Sequence, residues 1–229
     1  MYQQRFSAAA AQGPWAGAPG ASQQPFAPPQ MTSAVTLFAD IVGYTEHCET
    51  LGPEEAYLLL SDFYRHTSHA TTMHNAAIVD HFGDELLAVW KGNIPLEVQA
   101  FRALRCAFTI LGEVESWNEW RRQSHLSPVK VGIGIHAGPV MLGRTLASHG
   151  GGMSVFGDTV NIASRLERQT RRFGADIVIS DELFRLIAGV AGDTAILNHF
   201  PKTISVSLSG RAKPLDVRPA IIRPDSAGK

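Results

Sequence analysis

The chain has 229 residues, 45% of them apolar and 18% charged, with a formal net charge of −1. That composition suits one well-packed globular unit, and near-neutrality provides no field to draw a polynucleotide or an anionic membrane. Cys48 and Cys106 are the only cysteines, too few for a disulfide framework and too far apart for a zinc pattern; with no membrane-length apolar stretch and no secretory block, a reduced, cytoplasmic setting is expected.

Residues 1–31 are rich in Ala, Gly, Gln and Pro and read as a disordered tail, because such a composition buries too little surface to offset chain entropy. A first strand is expected over 34–40. A helix over 53–74 follows, opened by Pro53 after Leu51-Gly52, with Leu58, Leu59, Asp62, Phe63 and His66 at helical spacing. Strands over 77–82 and 86–90 are joined through Gly83-Asp84 in a tight hairpin. A helix over 95–123 carries the stripe Ala100, Ala103, Leu104, Ala107, Ile110, Leu111, Val114 and Trp117, which reads as core. The strand expected over 129–137 alternates Val131, Ile133 and Ile135 with Gly132, Gly134 and His136 before Gly138-Pro139, small residues that permit close packing. A short strand over 140–142, a glycine-rich loop through 150–152, a strand near 153–156 and a helix over 159–172 come next. Strands near 177, 195–199, 204–208 and 217–222 complete the chain. No internal repeat or second domain is visible. The order predicts an α+β, ferredoxin-like βαββαβ core with a C-terminal extension over 32–223, and residues 224–229 as a short tail.

Two carboxylates stand out. Asp40 ends an apolar run in Leu37-Phe38-Ala39-Asp40-Ile41-Val42-Gly43-Tyr44-Thr45, and Asp84 lies at the hairpin tip between Ile78 and Trp90. Where a sheet stops, side chains can converge on a ligand. Mg2+ and Mn2+ prefer oxygen ligands, and Mg2+ is commonly held by one or two carboxylates plus substrate phosphates. Either Asp alone would sooner be a cap or a turn residue. Asn161 and Arg165 stand four apart on an expected helix and so share a face. His66 and His69 also share a face but lack a third zinc ligand, while His136 follows a buried strand and reads as packed. Gly132-Ile133-Gly134 does not fit a dinucleotide fingerprint.

Four segments taken in order resemble one family, the catalytic domain of class III nucleotidyl cyclases. They are Phe38 to Thr45, Gly83-Asp84, Val131-Gly132-Ile133-Gly134-Ile135-His136-Ala137-Gly138-Pro139-Val140, and Phe156-Gly157-Asp158-Thr159-Val160-Asn161-Ile162-Ala163-Ser164-Arg165-Leu166-Glu167. The resemblance covers about residues 33–222. It implies conversion of a nucleoside triphosphate to its 3',5'-cyclic monophosphate and pyrophosphate by a head-to-tail homodimer with active sites between subunits. It further implies two divalent cations, Mn2+ or Mg2+, held by Asp40, Asp84 and the Ile41 carbonyl, one acidifying the ribose 3'-hydroxyl and the other neutralising the triphosphate. Gly43 and its neighbours would turn backbone N–H groups toward phosphate oxygens. Asn161 would orient the ribose and Arg165 would stabilise charge building on the α-phosphate; alone, Arg165 would read as a surface partner for Glu167 or Glu182. The family's usual Lys before the late-strand glycine is missing from Leu208-Ser209-Gly210-Arg211-Ala212-Lys213, leaving Arg211, Lys213 or Arg144 to meet the triphosphate.

The two base-reading positions of the family fall at Asp80 and Ser154. An ionised Asp80 only accepts hydrogen bonds, which disfavours adenine N1 and suits the N–H groups of guanine, uracil or cytosine. A short chain with no recognisable sensor is similar to the stand-alone bacterial pyrimidine cyclases of antiphage systems, whose product acts on a separate cyclic-nucleotide-responsive effector. The expectation is therefore UTP or CTP, with GTP or ATP as the alternative. A fold-retaining, inactive nucleotide-binding module is the competing reading, against which the presence of Asp40, Asp84, Asn161 and Arg165 argues. An RNA-binding sheet would need basic and aromatic strand faces that this chain lacks.

Overall fold

Eight strands form one sheet in the computed structural model, which describes residues 28–144, 153–190 and 195–222. In chain order they are β1 (Gln30–Ile41), β2 (Ile78–Phe82), β3 (Glu85–Trp90), β4 (Val131–Gly143), β5 (Ser154–Phe156), β6 (Ile177–Ser180), β7 (Ile204–Val206) and β8 (Leu215–Ala220). The helices are α1 (Tyr44–Thr50), α2 (Pro53–Met73), α3 (Leu96–Gln123), α4 (Asp158–Phe173) and α5 (Asp181–Ala188). The sheet order is β2-β3-β1-β4-β6-β8-β7, with β5 on the far end of β4. Within the βαββαβ core every pairing is antiparallel, and β6 adds parallel to β4. The expected α+β core is present in the order 4-1-3-2. No helix among the described residues is long and apolar enough to cross a membrane.

Alternation along β1 divides the interior. Val35, Leu37, Ala39 and Ile41 point to one face, where α2 contributes Leu59, Phe63 and Ala70, and α3 contributes Ala103, Leu104, Ala107, Ile110, Val114 and Trp117. Ala34 and Phe38 point to the other, which α4 covers with Ala163. Asp40 continues this second series, so the strand's period aims its carboxylate at α4. Helix α4 can lie this close because of glycines in β4. A Cβ on Gly134 would strike the backbone N of Glu167 and O of Ala163, and one on Gly138 would lie 2.7 Å from Thr159 Oγ1. The glycine-rich strand is a seat for a helix.

Several expectations need correction. The inward face of α2 includes Leu59 but not Leu58, which is exposed. Strand β4 runs through Gly138-Pro139, so residues 140–142 are no separate strand; β1 pairs with it out to Gln30↔Leu142 and carries the extension. The first strand correspondingly starts at Gln30, inside the segment expected to be tail. Residues Ala195–His199 form a 3-10 helix in which only Leu197 is buried, an apolar alternation too shallow to join the sheet. Helices α1 and α5 were not expected. Ser180 opens α5 by accepting the Leu183 N–H at 3.2 Å, and Leu183 and Ile187 bury one turn apart. Residues 1–27 and 224–229 of the expected tails and the glycine run 150–152 lie outside the described residues.

Candidate active site

Register brings the acidic residues together. Asp40 pairs across β1 with Glu85, the residue after the Gly83-Asp84 turn, and on its other side with Gly132. Gly83 adopts φ 62°, a left-handed conformation that favours glycine. Its carbonyl accepts the Tyr64 hydroxyl at 2.5 Å, tying the hairpin tip to α2. The Asp40 and Asp84 carboxyls lie within hydrogen-bonding reach of each other. While both are ionised they are both acceptors and neither satisfies the other, and Asp40 Oδ1 is buried with no donor among the described residues. Asp40 is pushed up to about 7, chiefly by burial, then by Asp84 and by the charge of Glu167, while Arg171 pulls the other way.

An orphaned buried oxygen beside a second carboxylate is the donor chemistry a hard divalent ion takes. Among the described residues no group of three or more His, Cys, Asp or Glu is placed to hold a metal ion. Ile41 is buried and can contribute only through its backbone. Gly43, at φ 74°, precedes α1, and no side chain caps that helix's first amides.

Two residues beside this pair were not singled out from sequence. Arg171 Nη2 lies 2.6 Å from Asp40 Oδ2, and its Nη1 lies 2.7 Å from Glu167 Oε1. Glu167 is almost fully buried and pushed up to about 7 by that burial, against the pull of Arg171. The i,i+4 spacing of Glu167 and Arg171 was the available signal. Glu167 therefore belongs to Arg171 and not to Arg165, and Glu182 faces His136 at 3.6 Å.

The other candidates gather toward the opposite end of α4. Asn161 is exposed, and Arg165 makes no ion pair among the described residues; its guanidinium packs against Gly210, where a Cβ would stand 3.4 Å from Nη2. Ile78, Val155 and Val160 pack on one apolar cluster with Phe38, Leu87 and Val89, so the neighbouring Asp80, Ser154 and Asn161 all border it. Asp80 is exposed, accepts the adjacent His81 N–H at 3.0 Å, and makes no ion pair among the described residues. Its neighbour His81 turns to the other face, toward Thr67 at 3.1 Å and the Tyr64 ring. Arg211 is held by Asp158 at 2.8 Å, on the wall of a cavity of about 370 Å³ that His136 and Glu182 also line. Lys213 and Arg144 are exposed.

His136 is packed, as expected. Its Nδ1 lies 2.8 Å from Ser180 Oγ, and burial, reinforced by Arg211, pushes it down to about 4. His66 and His69 do share a partner, Glu113, at 3.0 and 2.9 Å, making a clasp between α2 and α3. A larger cavity of about 690 Å³ lies on the α3 side, between Phe108, Leu111, Asn118, Lys130 and Asp176, and none of the candidate residues lines it.

This sheet, with paired carboxylates at one end and an Asn-Arg helix across it, is the architecture of a nucleotide cyclase catalytic domain. Residues 27–205 match the family described as "Adenylate and Guanylate cyclase catalytic domain", and the chain belongs to that family, the class III cyclase domains. Adenylate cyclase 1 of Rhizobium meliloti is 31% identical over 144 residues, 63% of this chain and 22% of that protein. The chain thus matches a minor part of its curated relative's length. Among solved structures, the guanylyl cyclase Cya2 superposes with a TM-score of 0.72 at 23% identity, covering 86% of this chain and 96% of that one. The adenylyl cyclase CyaB from P. aeruginosa gives 0.70 at 21%, covering 88% and 100%. At such identities the likeness is one of fold.

Proposed function

We propose that this chain is a catalytically active nucleotide cyclase domain that closes a nucleoside triphosphate into its 3',5'-cyclic monophosphate, releasing pyrophosphate. The observation that carries the reading is the convergence of Asp40 and Asp84, with Oδ1 of Asp40 buried and lacking a donor among the described residues. Bound Mg2+ or Mn2+, two ions by resemblance to the family, would acidify the ribose 3'-hydroxyl and neutralise triphosphate charge. The chain's own groups position and stabilise. Arg165, with no ion pair among the described residues, presents N–H donors to charge developing on the α-phosphate, and Asn161 on the same face orients the ribose. The first amides of α1, behind Gly43, are suited to phosphate oxygens. Arg211 would reach the pyrophosphate only by leaving Asp158, whereas Lys213 is exposed and ready.

Asn161 and Arg171 are ten residues apart on one helix, about 15 Å at 1.5 Å per residue, and Arg171 touches Asp40. Asn161 thus stands about three helical turns from the residue that holds Asp40. A head-to-tail homodimer brings the carboxylates of one subunit to the Asn161 and Arg165 of the other, giving two active sites per dimer.

For the base, Asp80 is an exposed acceptor with no ion pair among the described residues, which suits a ring that presents N–H donors. UTP or CTP is the first reading, the cyclic product then acting on a separate responsive effector in antiviral defence. GTP is the second, favoured because the relatives are named adenylate and guanylate cyclases. ATP fits Asp80 least. Incubating the protein with each triphosphate and Mn2+, and identifying products by mass, tests both parts. Asp40→Ala and Asp84→Ala should remain folded and make no cyclic product. A wild-type chain that turns over none of the four triphosphates across metals and pH would instead be a binding module that has kept the fold.

A further inference from the structure

The Arg171 guanidinium spans two carboxylates of unequal freedom. Its Nη1 arm grips Glu167 Oε1 at 2.7 Å, on a side chain only 1% exposed, and its Nη2 arm reaches Asp40 Oδ2 at 2.6 Å; Arg171 itself is 37% exposed. Glu167 is seated in the sheet rather than in solvent: its Oε1 lies 2.7 Å from where a Cβ on Gly132 would stand, and Thr170 Oγ1 lies closer still. Gly132 is the residue opposite Asp40 in the sheet, so the missing side chain is what admits the Glu167 carboxylate beside Asp40.

We infer that Arg171 is a stand-in cation for Asp40, a positioning residue that holds the carboxylate while no divalent ion is bound and yields Oδ2 when one arrives. The inference rests on reading Asp40 and Asp84 as the ion-binding pair. Asp40 cannot be left alone: Oδ1 has no donor among the described residues, and Asp84 and Glu167 add like charge. A guanidinium remains charged at any pH at which the protein folds and carries five donors in a rigid fork, so it can neutralise Asp40 and Glu167 together. On release it keeps its Glu167 arm, four residues back on the same helix, and swings the free arm into solvent. Ion binding and the Arg171–Asp40 contact then compete for one oxygen. A competitor built into the protein raises the ion's apparent dissociation constant by the weight of the state it stabilises.

Arg168 supplies the control. It is exposed, acts on Glu85 and Glu167 through space, and makes no contact with Asp40 among the described residues, yet its removal changes the charge of the site equally. Binding of Mn2+ to the full chain, without nucleotide, is followed by the paramagnetic resonance signal of free Mn2+. Arg171→Ala should tighten binding about tenfold, Arg168→Ala less than twofold, and Arg171→Lys, which keeps the charge but loses the fork, at least threefold. Asp84→Asn should weaken binding at least tenfold, an independent check on the ion site itself. Arg171→Ala binding no more tightly than wild type, or Arg168→Ala tightening as much, overturns the stand-in role while leaving the ion site standing. Unchanged binding in Asp84→Asn removes the ion-site reading instead. Should Arg171→Ala not fold, the Lys variant decides: affinity equal to wild type overturns the inference.

Discussion

The Tyr64 hydroxyl donates to the Gly83 carbonyl at 2.5 Å, so helix α2 fixes the hairpin tip on which Asp84 stands. The bond ties two segments that share no strand pairing, beside the turn that carries Asp84. Tyr64→Phe should lower unfolding free energy by about 1 kcal/mol and weaken Mn2+ binding, because the turn gains freedom. Denaturant titration and Mn2+ titration read the two effects. Unchanged Mn2+ affinity would mean the turn holds Asp84 without help.

Gly134 is the tightest point of the seat for α4. A methyl group there has no space against Glu167 and Ala163 backbone atoms that belong to a continuous helix, so the whole helix must lift. Gly134→Ala should destabilise the fold by roughly 3 kcal/mol and reduce turnover even where the protein stays folded, since Asn161, Arg165 and Arg171 ride on the same helix. Thermal denaturation with an activity measurement checks it; a stability within error of wild type would contradict the packing described.

His136 sets an acid limit. Unfolded, a histidine gains its proton near 6.5, whereas the buried His136 gains it near 4. Between these values the unfolded chain binds more protons, so the contribution is intact above pH 6.5 and is lost as pH falls toward 4, by at most roughly 3 kcal/mol. His136→Gln should flatten that limb of the stability profile. Asp40 and Glu167, both raised to about 7, work in the opposite sense in the metal-free protein, whose stability from these groups is lost as pH rises from about 4 through 7. A His136→Gln profile that falls between pH 6.5 and 4 as steeply as wild type would assign the acid limb to other groups.

In the proposed reading Asp80 faces the base. Asp80→Lys replaces an acceptor by donors and should raise kcat/KM for ATP relative to the wild-type substrate by at least tenfold, a difference of about 1.4 kcal/mol. Steady-state rates with each triphosphate measure it. No change in the ratio would show that the base is read elsewhere.

The chain's local patterns determined the core: alternation in β1 and β4, the Gly83-Asp84 turn, the apolar stripe of α3 and the four-residue spacing of Asn161 and Arg165 all follow from periods of two and 3.6 within single segments. Tertiary structure alone decided the extension of β4 through Pro139, which needs β1 beside it, and the 3-10 turn at Ala195–His199, whose alternation finds no strand to join. It also decided the partners of charged groups. Glu113 meets His66 and His69 across two helices, and Arg171 meets Asp40 over 131 positions of sequence. Side-chain charges attract whichever opposite charge the fold brings within reach, and no local period encodes that distance.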